Sequence, residues 1–126
     1  MKNPCPCKSS SEYKVCCAPY HSGKQSARTA EALMRSRYSA YVLQNPHYLF
    51  KTWHKQTRPS LQSLLQLGDT QWISLKITKI ELGMQQDTTG IVTFTATYVH
   101  NGQIGQLTET SSFEKVQEKW VYIGAE

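Results

Sequence analysis

The sequence predicts an α+β fold in which helices pack on a curved antiparallel sheet, with a small cysteine-rich knuckle ahead of them. Three observations carry this reading. Apolar residues between 30 and 65 recur at helical spacing, the period changes to two from Gln71 onward, and all four cysteines fall between Cys5 and Cys17. Helices followed by strands in a chain of 126 residues describe one α+β unit with an appendage rather than two ordinary domains. The expected division puts the knuckle in residues 1–25 and the α+β domain in residues 26–126.

The knuckle reads Cys5-Pro6-Cys7-Lys8-Ser9-Ser10-Ser11-Glu12-Tyr13-Lys14-Val15-Cys16-Cys17. Four thiolates suit a soft tetrahedral cation, and four of them complete the closed shell of a structural Zn²⁺ site. Cys5 and Cys7 can both turn toward one metal, whereas adjacent Cys16 and Cys17 can do so only where the backbone kinks. Two disulfides are the first competing reading, but adjacent cysteines on a short loop are awkward to bridge. A redox pair is the second, although C-x-x-C spacing would serve it better, and unconnected surface thiols are the third. His21 lies four residues after Cys17 and is an alternate ligand that would give a Cys3His site.

Residues 18–28 are polar and interrupted by Pro19 and Gly23, and read as a connector. Thr29 is the expected N-cap of a helix running to about Leu43, with Glu31 in the first turn where a carboxylate favours the helix dipole. Ala30, Leu33, Met34, Tyr38, Tyr41 and Val42 carry its period, and Arg37 falls inside the stripe of Ala30, Met34 and Tyr41, with Arg35 well to the side. A guanidinium on a core face needs a partner or a route to water. Asn45-Pro46 caps and starts a second helix over His47 to His54, with Tyr48, Leu49 and Trp53 inward and Lys51 and Lys55 solvated. Leu61, Leu64 and Leu65 mark a third, ending near Gly68.

Ile73, Leu75 and Ile77 alternate on odd positions and Ile80 and Leu82 on even ones, which predicts a β-bulge near Thr78-Lys79. Val92, Phe94, Ala96 and Tyr98 share one face of the next strand, with threonines 93, 95 and 97 on the other, and His100-Asn101-Gly102 is a hairpin turn. The return strand aligns Leu107, Glu109, Ser111 and Phe113, and a last strand from Trp120 to Ile123 follows the polar turn Gln117-Glu118-Lys119.

The knuckle residues resemble the SEC-C motif, the zinc-binding module named for the C-terminus of the SecA translocation ATPase. In that motif the last ligand is His and the first loop usually holds glycines; Lys8 and Ser10 stand at those loop positions here. The stretches Leu33-Met34-Arg35-Ser36-Arg37-Tyr38-Ser39-Ala40-Tyr41, Thr52-Trp53, residues 92–98, residues 109–113 and Trp120-Val121-Tyr122 closely resemble the YchJ family. This resemblance implies a SEC-C knuckle attached to a cystatin-like, nuclear transport factor 2-like cone. It supplies little biochemistry. Several relatives carry a second SEC-C motif at the C-terminus, which residues up to Glu126 do not contain, and Thr108 stands where a histidine often precedes the strand glutamate.

Charge and composition narrow the function. Thirteen aromatics and 39% apolar residues argue against disorder, and no apolar run approaches the roughly 18 residues of a membrane span. No secretory signal is recognisable, so a cytoplasmic location is expected. The net charge of +5 lies mostly in residues 1–28, which hold five Lys/Arg against one Glu. Four thiolates and one Zn²⁺ together would offset about two of those charges. Without a basic stripe interleaved with aromatics, nucleic-acid binding is weakly supported. The first functional reading is therefore a zinc-binding, non-catalytic adaptor whose knuckle docks on a protein or ribosomal partner, with Lys8, Lys14 and Lys24 steering an acidic face. The second is a small-ligand binder or enzyme using a concave pocket around Arg37, Tyr38, Tyr98 and Glu109, with His54 as a further candidate. For these, Arg37 and Glu109 are expected to form an ion pair.

Overall fold

A computed structural model describes residues 3–66 and 68–126 of the chain. Among the described residues, short helix α1 (Ala18–His21), long helix α2 (Ala30–Val42), α3 (Pro46–Lys51) and α4 (Leu61–Leu64) precede the strands β1 (Gln71–Leu82), β2 (Thr89–His100), β3 (Gln103–Val116) and β4 (Lys119–Ala125). The strands form one antiparallel meander in the order β1-β2-β3-β4. This is the expected α+β cone. Among the described residues no helix is long and apolar enough to cross a membrane.

Local chemistry sets the helix ends. The Thr29 side chain accepts from the Ala32 N–H, Asn45 from Tyr48 and Ser60 from Ser63, each satisfying a donor the first helical turn leaves free. The second helix stops at Lys51 rather than reaching His54, because the chain there turns to pair with the sheet. Trp53 bridges Tyr122, His54 N–H donates to Tyr122 O, and Tyr122 N–H donates to Thr52 O. Segment 52–54 is thereby fixed beside β4.

The β2–β3 hairpin turns through Asn101 and Gly102, both at positive φ (51° and 77°), the geometry that matches strand twist. The β3–β4 hairpin uses Gln117 and Glu118 at φ 51° and 69°, the same turn made without glycine. The predicted slip in β1 occurs between Ile77 and Lys79, and a second lies between Trp72 and Ser74. That second bulge corrects the expected alternation: Trp72, not Ile73, turns inward with Leu75, and Ile73 is 45% exposed. At the far end of β1, Gly90 lies so close to Gly83 that an added Cβ would stand 2.6 Å from Gly83 Cα. This approach lets Ala30 N–H donate to Gly83 O at 2.9 Å, seating the start of α2 on the sheet.

The core joins α2 to the concave sheet face through Leu33, Met34, Tyr38, Leu75, Val92, Phe94, Phe113 and Trp120. Each fully buried large apolar side chain contributes about 1.5–3 kcal/mol. Cys5, Cys7 and Cys17 belong to this same cluster. The knuckle is therefore not an independent bead on a connector. Residues 18–28, expected as a connector, include α1 and pack Tyr20 against the core.

Candidate metal centre and cone pocket

The loop carrying Cys5 and Cys7 closes through Cys5 N–H to Ser11 O and Lys8 N–H to Cys5 O, with Pro4 bridging Glu12. Lys8 and Ser10 lie at φ 65° and 76°. These are the positions where the resembling motif usually has glycine, and the conformation gives the reason: left-handed backbone costs a side chain about 1–2 kcal/mol that glycine avoids. A 3-10 turn, Tyr13–Val15, then leads to Cys16, whose backbone (φ −110°, ψ −90°) lies outside the standard regions. That is the kink the adjacent cysteines require.

As a result the sulfurs of Cys5, Cys7, Cys16 and Cys17 all lie within 4.8 Å of one another. Cys7 and Cys16 are separated by 3.6 Å and Cys16 and Cys17 by 4.0 Å. Four thiolates about 2.3 Å from a tetrahedral ion stand about 3.8 Å apart, so the cluster fits such a metal. All four cysteines are free thiols rather than disulfides. Within the cluster, hydrogen bonding led by the Cys17 thiol holds Cys7 down to about 4. Burial pushes Cys16 up to about 11.

The supporting contacts come from α2. The fully buried Ser39 hydroxyl donates to Cys17 Sγ at 3.3 Å and lies 3.5 Å from Cys5 Sγ. Arg35, to the side of the apolar stripe as expected, donates to Cys7 O at 2.7 Å and to Glu31 at 3.0 Å. Ser9 bonds Cys16 Sγ at 3.1 Å. The Ser39 and Arg35 contacts could not be read from the cysteine spacing, because they join residues on separate segments.

His21 does not join the four sulfurs. Its Nε2–H donates to Ser36 O at 2.8 Å, which leaves Nδ1 to accept from the Tyr13 hydroxyl at 2.7 Å, with the ring against Tyr48. Burial lowers its pKa. The histidine ties the knuckle to α2 instead of competing for metal. His21→Ala is expected to cost about 1–2 kcal/mol in urea unfolding while keeping the full metal content. The unfolded chain accepts the proton that buried His21 refuses. Its contribution is thus complete above the ordinary histidine value of about 6.5 and declines as pH falls through it. Loss of metal in step with the substitution would make His21 a ligand after all.

On the other flank of α2, Arg37, Tyr38 and Glu109 line a cavity of about 180 Å³ under the sheet, walled by Tyr41, Trp72 and Tyr122. The expected ion pair is absent. Arg37, 3% exposed, donates to Leu49 O at 2.9 Å and Thr52 Oγ1 at 2.8 Å, and lies 4.8 Å from the Trp53 ring centre and 4.5 Å from that of Tyr122. Two acceptors and two aromatic faces answer its desolvation without a carboxylate. Glu109 accepts instead from Ser111 and Tyr122, so one tyrosine lies between the two charges. Alternation along β4 puts Tyr122 on the face of Trp120, a signal that could have marked it.

Tyr38 has a buried hydroxyl with no partner among the described residues, and burial pushes its pKa up to about 12, leaving it a donor. Tyr98, expected in the pocket, lies outside its lining and packs on Trp72 and Gly105, because Trp72 occupies that end of the cone. His54 lies outside this lining too, its Nε2 3.3 Å from Glu114. Thr108 pairs with Thr95 at an exposed position on the sheet, away from the Glu109 side.

Residues 29–125 match the family model described as the YchJ middle NTF2-like domain. The chain is 45% identical over 123 residues to the UPF0225 protein SCO1677 of Streptomyces coelicolor, covering 98% of this chain and 94% of that one. It is 40% identical over 126 residues to the UPF0225 protein YchJ of Shigella dysenteriae, covering 98% and 82%. A solution structure of RPA3114, a SEC-C motif containing protein from Rhodopseudomonas palustris, superposes with a TM-score of 0.87 at 28% identity, covering 97% and 96%. The crystal structure of a SEC-C motif containing protein from Psychrobacter arcticus gives 0.80 at 28% identity, covering 94% and 79%.

Proposed function

Because the chain belongs to the YchJ family, with a SEC-C-type cysteine cluster joined to an NTF2-like domain, we propose that it is a zinc-stabilised, non-catalytic docking protein. The closed four-sulfur cluster carries this reading. Three of its four cysteines are buried and all four sulfurs converge, leaving a tetrahedral ion no vertex for water or substrate. Zinc is the fitting ion because thiolates alone favour a soft, redox-silent cation, and free thiols suit a reducing compartment such as the cytoplasm. The partner is a protein or a ribosomal component. Lys8, Lys14 and the 68% exposed Val15 supply charge and an apolar contact on the knuckle's outer side.

The test compares intact protein with a Lys8→Glu/Lys14→Glu variant as baits, after both are shown to hold one zinc and melt together. A partner captured by the first and lost from the second is expected. An unchanged set of captured proteins would reject the knuckle as the docking surface.

A second reading is favoured by the unpartnered Tyr38 hydroxyl: the cone pocket takes a small polar ligand, with Arg37 and Tyr38 as donors and Glu109 as acceptor. Glu109 is already engaged by Ser111 and Tyr122, which makes binding a better fit than acid/base catalysis.

A further inference from the structure

A second cleft, of about 400 Å³, opens between α3, the β3–β4 turn and the segment leaving the knuckle. Lys51, Lys55 and Arg58 reach it from α3 and the residues after it, and Lys119 from the start of β4. The sequence scatters these cations from position 51 to position 119. The Trp53–Tyr122 bridge gathers them by fastening segment 52–54 to β4.

The lining contains no Asp or Glu. Among the described residues none of the four cations lies within 4.0 Å of a carboxylate; the one acidic contact at the cleft's edge is that of Glu114 with His54, at 3.3 Å. Two of the cations are held in place by aromatic faces, Arg58 at 3.9 Å over Phe50 and Lys51 at 5.5 Å over Tyr48. Four like charges sharing one mouth repel one another, and a multiply charged anion relieves that repulsion. The interior is different in character. Tyr20, Trp53 and Val121, each partly exposed, give it an apolar side.

We propose that this cleft binds a nucleoside phosphate. Its phosphate sits among Lys51, Lys55, Arg58 and Lys119, where up to two charges and three acceptor oxygens answer several cations better than one carboxylate would. Its base lies along the partly exposed Tyr20, Trp53 and Val121. A cavity of this size falls in the range of small-molecule sites, roughly 300–1,000 Å³. The ligand is either a free mononucleotide or the phosphorylated end of a single strand. This site is separate from the knuckle surface of the docking reading, and either can fail alone.

The test titrates zinc-loaded full-length protein with adenosine 5′-monophosphate, adenosine and a short single-stranded oligonucleotide with and without its 5′-phosphate. Tryptophan fluorescence and calorimetry are the readouts, since two of the three tryptophans, Trp53 and Trp120, line the cleft. The monophosphate should bind at least tenfold more tightly than adenosine. Arg58→Glu/Lys119→Glu should weaken it at least tenfold at unchanged melting temperature. Lys76→Glu, an exposed charge reversal on β1, should leave it unaltered and control for the overall positive charge. Tighter binding of the phosphorylated strand than of the monophosphate would identify the strand end as the source. No saturable monophosphate binding, equal affinity for adenosine, or equal loss from Lys76→Glu would overturn the proposal.

Discussion

A Cys7→Ser variant is expected to purify without the zinc proposed for the cluster and to lose about 3–5 kcal/mol of stability, a fall of roughly 10 °C or more in melting temperature. Both effects follow from position. Cys7 is fully buried, its sulfur is 3.6 Å from Cys16, and it packs in the same cluster as Leu33 and Met34. A seryl oxygen is a poor ligand for a soft cation, and without metal the remaining thiols lose the charge balance that lets them sit together as thiolates. Because the knuckle packs on α2 through Ser39 and Arg35, its loosening uncovers apolar core rather than a free tail. Elemental analysis and calorimetry check this, with chelator-treated wild type as the parallel sample. Full zinc content in the variant would remove Cys7 from the ligand set. Zinc loss with an unchanged melting curve would show that residues 26–126 keep their core without the metal, as the division into a 1–25 knuckle and a separate domain implies.

That disagreement marks where the sequence stops being legible. Signals confined to a few neighbouring residues were sufficient: Thr29 and Asn45 cap their helices, Asn101-Gly102 turns the hairpin, and the period change at Gln71 marks the sheet. Cysteine spacing and the Cys16-Cys17 kink belong to the same class. Relations across distant segments were not readable. Ser36 and Ser39 look like neutral helix residues, yet their small side chains let the knuckle and α3 approach α2 closely, Ser36 bonding Tyr48 at 2.7 Å. The bulge between Trp72 and Ser74 was hidden because Ile73 fits an alternating pattern, while the larger, half-buried Trp72 takes the inward place. Arg37 shows the same limit. Two periodicities placed it and Glu109 inward, but periodicity gives a direction, not a partner.

Arg37 therefore provides the second large effect, and a double-mutant cycle is expected to couple it to Thr52 rather than to Glu109. Arg37→Met should cost about 2–4 kcal/mol in denaturant unfolding, because it removes two charge-assisted hydrogen bonds and leaves Leu49 O with only a long, 3.4 Å contact from the Thr52 hydroxyl. Relief of guanidinium desolvation offsets part of that, which is why the cost stays below the sum of the bonds lost. Thr52→Val removes an acceptor of the same guanidinium, so its cycle with Arg37→Met should show coupling of about 1–2 kcal/mol. Glu109→Gln keeps an oxygen for Ser111 and Tyr122, and with Tyr122 standing between the charges its coupling to Arg37 should stay below about 0.5 kcal/mol. Arg37→Lys should not rescue the loss, since a lysine ammonium lacks the planar face that stacks on Trp53 and Tyr122. Coupling to Glu109 larger than that to Thr52 would mean that the two charges pair directly in solution, and would return the carboxylate to the centre of the cone.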